Sequence, residues 1–290
     1  MIRFQTLKSY LQIAKLPLCL LVALSAGFGF VMTGNNDFAR IIMITFSVLM
    51  LACGAAMTNS LQEYRVDKLM TRTAGRTVAL ERISKSATLF HARILFALGL
   101  LGLYVFSKEL SALLAGASGV LVYNFVYTPL KHKTVWAIIA GAISGFLPPY
   151  IGWLAGGGTW FSTRVILVCG LFFLWQVPHY WLVVLNYKND YIHSPLPSII
   201  KEMGEKKLRL LVFPWVVSLA VIVHILLLFN LQIKPLAESI LSIATILLIV
   251  FFAFVLFMLK KPRYQLLFIT LNAYILLVMV VMSTSFFYQI

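Results

Sequence analysis

Nine apolar segments, most of them close to the length of about 20 residues that a helix needs to cross a membrane, run through this chain. Their approximate bounds are 16–33, 41–58, 88–106, 110–127, 135–155, 164–186, 210–230, 237–259 and 265–285. They predict an all-α polytopic membrane protein with nine transmembrane helices around a central cavity. The first segment follows Lys8 and Lys15 as the core of a signal peptide would, but its length and the eight segments after it favour a membrane span.

The composition excludes a soluble globular protein. The 290 residues are 61% hydrophobic and 11% charged, whereas soluble domains are about half apolar and a quarter charged. Cys19, Cys53 and Cys169 all lie in apolar segments without CxxC spacing, so neither a disulfide nor a zinc site is predicted. With no clear repeat or linker, residues 1–290 are predicted to form a single transmembrane domain.

The distribution of basic residues predicts the orientation in the membrane. With the N-terminus in the cytoplasm, 20 of the 24 lysines and arginines fall in cytoplasmic segments, where membrane proteins concentrate positive charge. The four on the other side are Arg40, Lys108, Arg164 and Lys234. This asymmetry predicts a multi-pass protein of the cytoplasmic (inner) membrane with its C-terminus outside. The lipid bilayer therefore accounts for the +15 net charge, and no nucleic-acid partner is expected.

A polar stretch between the second and third apolar segments carries the strongest functional signal. Asn59, Glu63 and Asp67 recur every fourth residue, and Arg72 and Arg76 follow with the same spacing. On a helix, residues four apart share one face. An amide, two carboxylates and then guanidiniums at the mouth of a membrane helix suit a metal-bridged anion such as a diphosphate. The alternative from this stretch alone is a solvated loop with helical ion pairs.

The loop after the sixth segment offers a second set of polar ligands. Asp190 stands beside Asn189 and Lys188 and could bind a metal or a diphosphate, although an interfacial loop that anchors a helix end has the same composition. His179 lies about one turn inside the preceding span, next to Pro178, whose expected kink could line a cavity. The alternative for His179 is an ordinary hydrogen-bonded core residue.

A third stretch joins the fourth and fifth segments. Lys131 and His132 mark the junction between two helices. The small residues that follow, spaced to allow close helix packing, are Gly141, Gly145 and Gly152. Pro148 and Pro149 predict a break in the outer half of the fifth span.

Taken in order, the three stretches resemble the UbiA superfamily of intramembrane prenyltransferases. The first family signature is represented here by Asn59, Glu63, Asp67, Met70, Arg72, Thr73 and Arg76. The Y-T-x-x-L-K element and the G-x-x-x-G-x-x-P-P run correspond to residues 127–152, with Lys131 as the basic residue. Together the motifs cover about residues 57–200.

Within the superfamily, the chain is most similar to the heme O synthase branch. The WQ-x-PH element typical of that branch is formed by Trp175, Gln176, Pro178 and His179. The departures from the family pattern are Glu63 where many members have Asp, Thr77 and Ile200 where Pro is common, and Asn189 in place of an Asp. These departures leave open a divergent paralogue with altered substrate or lost activity.

The resemblance implies transfer of a farnesyl group from farnesyl diphosphate to a vinyl group of heme b, which gives heme O. It implies a Mg²⁺ site formed by Asn59, Glu63, Asp67, Asn189 and Asp190, of which all but Asn189 are also expected to be catalytic. It implies diphosphate binding by Arg72, Arg76, Lys131 and Lys188, and it suggests heme contacts from His179, His132, Gln176 and Trp175. By the same resemblance, a heme A synthase or cytochrome oxidase assembly factors are possible partners.

Two rival functions remain from the sequence. The first is a prenyltransferase of the same superfamily that acts on an aromatic acceptor such as 4-hydroxybenzoate or on a chlorophyllide, against which the WQ-x-PH element speaks. The second is a transporter or a non-catalytic heme-handling membrane protein, which would leave the clustering of acids and arginines on one side unexplained.

Overall fold

A computed structural model describes the backbone of residues 2–229 and 233–287, and the side chains from residue 5 onward within those ranges. All the regular structure in these ranges is helical. The helices are α1 (Ile2–Ile13), α2 (Leu16–Val31), α3 (Phe38–Gln62), α4 (Tyr64–Asp67), α5 (Ala74–Ile83), α6 (Lys85–Ser107), α7 (Leu110–Leu121), α8 (Thr128–Leu130), α9 (Ala137–Ala155), α10 (Thr163–Asn186), α11 (Lys188–His193), α12 (Ile199–Phe229), α13 (Pro235–Ala253) and α14 (Tyr264–Phe287). Two π-helical segments, Val122–Tyr127 and Phe254–Met258, continue α7 and α13 without a break.

The predicted membrane spans are present. Eight helices of the described chain are long and apolar enough to cross a membrane, and α1 with α2 forms a ninth candidate bent by 52°. Lys15 produces this bend, because its backbone adopts a left-handed conformation with φ 53° between the two helices. Pro17 lies in the first turn of α2, where its missing N–H costs no hydrogen bond.

Close backbone packing between α2 and α9 explains part of the glycine pattern. A Cβ added to Gly29 would lie 1.9 Å from the carbonyl oxygen of Pro149, and one added to Gly152 would lie 1.8 Å from that of Ala26. Side chains larger than hydrogen therefore cannot be accommodated on either helix at this contact. The predicted role of Gly152 in close helix packing is confirmed.

The break predicted at Pro148 and Pro149 is wrong, since α9 runs without interruption from Ala137 to Ala155. Two prolines remove two backbone donors, but their fixed φ is compatible with a helix. Within a membrane bundle, neighbouring helices stabilise such a segment, and here both prolines are buried and Pro149 lies against Gly29 of α2. Packing outweighs the local loss of hydrogen bonds.

Segments 63–84, 131–136, 187–198 and 259–263 lie together at one end of the bundle, which we call the charged end. Asp190 in the third of these segments accepts hydrogen bonds from Thr71 in the first, so the two polar loops meet as expected. At the opposite end, Arg40 and Arg164 donate hydrogen bonds to carbonyl groups that end neighbouring helices. The acceptors are Phe106, Ser107 and Ala155 for Arg40, and Met32 for Arg164. Which end faces the cytoplasm stays a prediction from the charge distribution.

Two apolar cores support this arrangement. The larger one joins α2, α3, α9, α10, α12, α13 and α14. The smaller one lies beside the charged end, where Ile13 of α1 and Leu80 of α5 pack against Met57 of α3. The polar stretch 57–76 is therefore held between packed helices on both sides.

Candidate active site

The three residues at fourfold spacing are carried by the end of α3 and the short helix α4. The backbone N–H of Glu63 donates to the carbonyl of Asn59 at 2.9 Å, and that of Asp67 donates to the carbonyl of Glu63 at 2.8 Å. Helical spacing is thus maintained across the point where α3 ends. All three residues are buried, with 2%, 4% and 4% of the residue surface exposed. Such burial of two carboxylates requires compensating positive charge or a bound cation.

Glu63 forms an ion pair with Lys131, the basic residue that follows α8. The Lys131 Nζ lies 2.7 Å from Glu63 Oε1. Burial alone would raise the pKa of Glu63, but the positive charges of Lys131 and Lys15 lower it to about 2. Burial would likewise lower the pKa of Lys131, yet Glu63 holds it well above the usual value. Both groups are therefore charged at neutral pH.

Asp67 is less completely compensated. The nearest cation is the Arg76 guanidinium, with Nη1 at 3.7 Å from Asp67 Oδ2, which is longer than a hydrogen bond. This carboxylate oxygen is buried and has no hydrogen-bond partner among the described residues. A buried, unpaired carboxylate oxygen is costly, and a divalent cation is a suitable partner for it.

Asn59 makes a contact that the sequence did not reveal. The ammonium of Lys15, at the bend between α1 and α2, donates to its Oδ1, and its Nδ2 donates to the Thr128 hydroxyl at 3.0 Å. Lys15 thus adds a third cation to the group. The only sequence signal was a lysine two residues before a helix-starting proline at a predicted membrane boundary.

Asp190 closes the site from the other loop. The Thr71 hydroxyl lies 2.9 and 2.8 Å from its two carboxylate oxygens and donates one hydrogen bond shared between them, and the backbone N–H of Arg72 donates another at 3.2 Å. The Arg72 guanidinium lies over the ring of Tyr187, 5.7 Å from its centroid. The loops that carry Asp67 and Asp190 are consequently joined at Asp190 itself, which contacts the other loop a few residues after Asp67.

A cavity of about 310 Å³ begins at this site and continues between the helices. Its size lies at the lower end of the range typical of ligand pockets. Near the charged end its walls include Arg72, Lys131, Tyr123, Tyr127, Tyr180 and Tyr191, and further along they include Trp175, Gln176, His179 and Asn272. The remainder is mainly aliphatic, from helices α2, α3, α9, α10 and α14. One end of the cavity therefore suits an anion and the rest an apolar chain.

His179 is oriented by a defined network within this cavity. Its Nδ1 lies 3.0 Å from Asn272 Oδ1, and Asn272 Nδ2 donates to the carbonyl of Phe268 at 2.7 Å. Because the second contact fixes the amide with its oxygen toward the ring, His179 Nδ1 is the donor. Its Nε2 then carries the lone pair. The Trp175 ring packs against the imidazole with centroids 4.5 Å apart, and its buried Nε1 has no acceptor within the described chain.

Three residues predicted for the site lie elsewhere or face outward. Lys188 forms an ion pair with Glu205 at 2.8 Å and lines a different cavity. His132 and Asn189 are exposed, and neither lines the 310 Å³ cavity. The bend of α12 at Gly204, with φ 75°, positions Glu205 for the contact with Lys188. No spacing in the sequence indicated that contact.

The donor set fits a magnesium ion bound together with a substrate anion. No cluster of three or more His, Cys, Asp or Glu side chains able to hold a metal occurs among the residues that the structure describes. Mg²⁺, however, is commonly held by one or two carboxylates, waters and substrate phosphate oxygens. The oxygen of Asp67 that lacks a hydrogen bond, with Asn59 and Glu63 on the same helical path, meets that smaller requirement.

Comparison with known proteins agrees with this geometry. Residues 20–272 match the UbiA prenyltransferase family. A protoheme IX farnesyltransferase from Geobacter sulfurreducens is 34% identical over 231 residues, which cover 80% of this chain and 85% of that protein. A protein of the same name from Oleidesulfovibrio alaskensis is 35% identical over 183 residues, but the match spans just under two thirds of that relative, 64%, and 62% of this chain.

A solved structure shows the same fold. A UbiA homolog from Archaeoglobus fulgidus, determined with DMAPP and Mg²⁺ bound, superposes with a TM-score of 0.67 over 94% of this chain and 99% of that one. Its sequence identity is 17%, so the likeness concerns the arrangement of helices.

Proposed function

Since the chain belongs to the UbiA prenyltransferase family and is a multi-pass membrane prenyltransferase, we propose that it transfers a farnesyl group from farnesyl diphosphate to a vinyl group of heme b. The observation that carries this proposal is the junction of two polar loops, through Thr71 and Asp190, over a cavity that has cations at one end and the WQ-x-PH side chains farther in. The protoheme IX farnesyltransferase names of the relatives support the choice of acceptor.

The bond changes define what the site must do. The allylic C–O bond of farnesyl diphosphate breaks and diphosphate leaves with the electron pair. The farnesyl C1 bonds to the terminal carbon of the heme vinyl group, and water adds its hydroxyl to the other vinyl carbon while its second proton goes to solvent. No strong base is required, because the vinyl π electrons are the nucleophile. The protein must instead stabilise the leaving group and shield the allylic cation from premature attack by water.

Leaving-group stabilisation falls to the charged end of the cavity. Bound Mg²⁺ would neutralise part of the diphosphate charge, and Asp67, Asn59, Glu63 and Asp190 are the residues that would hold it. Lys131 and Arg72 line the cavity beside these acids. Cations that are fixed in place before charge develops typically lower a barrier by several kcal/mol.

The apolar part of the cavity suits the prenyl chain. Tyr123 and Tyr127 lie between the cationic rim and the aliphatic walls, with ring centroids 5.7 Å apart. Aromatic faces attract a nearby cation, so this pair is placed to stabilise the allylic cation. A chain of isoprene units would then extend along aliphatic side chains of α2 and α3.

The acceptor end is formed by residues of the WQ-x-PH element. We propose that His179 Nε2, left as an acceptor by the bond from Nδ1 to Asn272, contacts the heme iron. Trp175 Nε1, buried without an acceptor in the described chain, is suited to a heme propionate. A Cβ added to Gly145 would lie 3.1 Å from Gln176 Oε1. A small residue at position 145 therefore leaves room for the Gln176 side chain beside the proposed heme site. His132, which is exposed, is not included in this site.

Heme analysis tests the proposed reaction. The chain is co-expressed with ample heme b in cells that lack heme O, and extracted hemes are identified by mass spectrometry. A product with the mass of heme b plus a farnesyl group and a hydroxyl group is expected. In membranes supplied with farnesyl diphosphate, prenylated 4-hydroxybenzoate in place of heme O would overturn the acceptor assignment and favour the aromatic-acceptor alternative. Binding of heme without release of diphosphate would overturn the proposal of turnover.

A cytoplasmic site in the cell's inner membrane follows from the charge distribution and belongs to this proposal. So does delivery of heme O to a heme A synthase or to oxidase assembly, for which the family resemblance is the argument. Accessibility of a cysteine introduced at Lys133, at the charged end, to a membrane-impermeant reagent tests the orientation. Labelling from the periplasmic side in intact cells would contradict it.

A further inference from the structure

A second and more open cavity lies at the charged end, apart from the candidate active site. It has a volume of about 990 Å³ and lies between the end of α10, the early turns of α12, the loop before α14 and the first turns of α14. We call it the basic groove. Its charged walls are Lys188, Glu205, Lys206, Arg209, Lys260, Lys261 and Arg263. None of these residues lines the 310 Å³ cavity.

The charges in the basic groove do not balance. Six cationic side chains face one carboxylate, Glu205. That carboxylate is already engaged, because Lys188 Nζ lies 2.8 Å from its Oε2 and the Tyr264 hydroxyl donates to its Oε1 at 3.0 Å. The groove therefore has a surplus of positive charge that its own residues do not neutralise.

One of the cations has an unused donor. Arg209 Nε is buried and has no hydrogen-bond partner in the described part of the chain. A guanidinium presents several N–H donors in a planar arrangement suited to phosphate oxygens. Lys206 of α12 and Lys260 and Lys261 of the loop are exposed around it. An anion seated in the groove would thus meet a preformed set of donors from two separate elements.

The groove continues onto a surface that would face lipid. Leu266 and Ile269 on α14 belong to its walls and are 42% and 54% exposed. They lie in a helix apolar and long enough to cross the membrane. A ligand with a phosphate head and an apolar tail could therefore place the head among the cations and the tail along α14. Basic pockets between membrane helices are known to bind lipid headgroups.

We propose that the basic groove is a binding site for an anionic phospholipid, with the headgroup phosphate among Arg209, Lys260 and Lys261 and an acyl chain along Leu266 and Ile269. A free phosphate or diphosphate would satisfy the cations but would leave the apolar flank without a role. This inference does not depend on the identity of the prenyl acceptor, because the groove shares no lining residue with the candidate active site.

Lipid retention by the purified full-length protein tests the proposal. The protein is exchanged into nanodiscs containing phosphatidylglycerol and phosphatidylcholine, re-extracted in mild detergent, and the retained lipid is quantified by native mass spectrometry. We expect preferential retention of phosphatidylglycerol by the wild type. Replacing Arg209, Lys260 and Lys261 by Gln should weaken it by about 100-fold, the size expected for three cations near an anionic headgroup.

A matched control separates the groove from general positive charge. Arg65, Lys68 and Lys133 are an equal set of one arginine and two lysines, exposed at the charged end outside both cavities, and their replacement by Gln should leave retention unchanged. Equal loss in both triple variants would overturn the proposal. So would unchanged retention in the groove variant.

Two further experiments, a single substitution and a displacement by soluble anions, test the same site. The single substitution Lys261→Glu, in an exposed loop, should reduce retention with little risk to folding, and an unaltered level would argue against the site. Inorganic phosphate and diphosphate, added in large excess during extraction, should displace little lipid. Full displacement by either ion would show that the groove is a site for soluble phosphate and would overturn the lipid assignment.

Discussion

The charged end of this UbiA-family protein contains two cationic regions that differ in how their charges are matched. In the candidate active site, Lys131 is paired with Glu63, and Arg76 stands beside Asp67. In the basic groove, six cations share one carboxylate. The first region is mostly buried, while Lys188 and Glu205 in the groove have side chains 44% and 39% exposed. Both regions are rich in lysine and arginine in the sequence, and they differ in how many acids accompany those cations and in how deeply they are buried.

This difference shows why the two regions suit different anions. A buried site cannot keep several unmatched cations without large desolvation costs, so its acids serve both as counterions and as ligands for a metal that arrives with the diphosphate. An open groove keeps its surplus because water screens it. Activity and stability should therefore change strongly when one charge of the buried site is altered. Stability should change only weakly when one charge of the groove is altered.

The largest expected effect is on turnover when Asp67 is changed to Asn. The substitution keeps the size of the side chain but removes the charge of the one buried carboxylate oxygen without a hydrogen-bond partner in the described chain. We expect prenyl transfer to fall by about 10²–10³-fold, the usual result of losing one preorganised electrostatic group. Product formation with saturating Mg²⁺ is the measurement.

Glu81→Gln is the control for this change, since Glu81 is an exposed carboxylate at the same end, bonded to the Tyr64 hydroxyl. It should retain activity close to that of the wild type. An active Asp67→Asn protein would show that the buried acid is structural, and the contrast between the two regions would then concern folding only.

The second effect is on stability and tests the pairing itself. Lys131→Met leaves Glu63 buried without its main partner, and breaking a buried pair in this way costs about 3–5 kcal/mol. The double variant Glu63→Gln/Lys131→Met removes both charges and should recover much of that loss. Thermal unfolding in detergent would measure both. Lys260→Met in the basic groove should change stability by less than about 0.5 kcal/mol.

Additive losses in the double variant would contradict the description of the site as charge-matched. A loss from Lys260→Met as large as that from Lys131→Met would remove the distinction between the two regions.

The sequence predicted much of this organisation because its signals were local. Apolar segments of about 20 residues predicted the membrane spans, and fourfold spacing predicted that Asn59, Glu63 and Asp67 follow one helical path. Family motifs placed Lys131 near the acids and Trp175 and His179 near the acceptor. In the structure Lys131, Trp175 and His179 line one cavity and Glu63 pairs with Lys131 at its edge, but the roles of all these residues in the reaction remain predictions.

What the sequence did not predict depends on contacts between distant segments. Lys15 reaches Asn59 because its own backbone is left-handed. This conformation bends the chain by 52° between α1 and α2 and places α1 beside α5. Lys188 pairs with Glu205 only because Gly204 bends α12. The span predicted at 210–230 lies in the part of α12 that follows the break at Gly204. Neither the composition nor the periodicity of the sequence predicts such bends.

The third effect concerns the acceptor end, which lies away from both cationic regions. His179→Ala removes the proposed iron contact, and we expect the heme absorption spectrum to shift and heme affinity to fall about 10-fold, as for loss of a single ligand or its orienting partner. Binding of farnesyl diphosphate should stay unchanged. The control is His224→Ala, a histidine of α12 that bonds the Ala220 carbonyl outside the cavity. An unaltered spectrum in the His179 variant would end its assignment as a heme ligand.

The smallest expected effect is that of pH on the stability contributed by Glu63, which should not change near neutral pH. Because the pKa of Glu63 is lowered to about 2, below its value of about 4.3 in an unfolded chain, its ionisation stabilises the fold fully above about pH 5. That contribution is lost only as the pH falls toward 2. Between pH 7 and pH 5, the stability difference between wild type and Glu63→Gln should therefore stay constant within about 0.5 kcal/mol, as measured by thermal unfolding. A difference that shrinks over this interval would mean that burial outweighs Lys131 and Lys15 and that Glu63 takes up a proton, so the site would not be charge-matched at all.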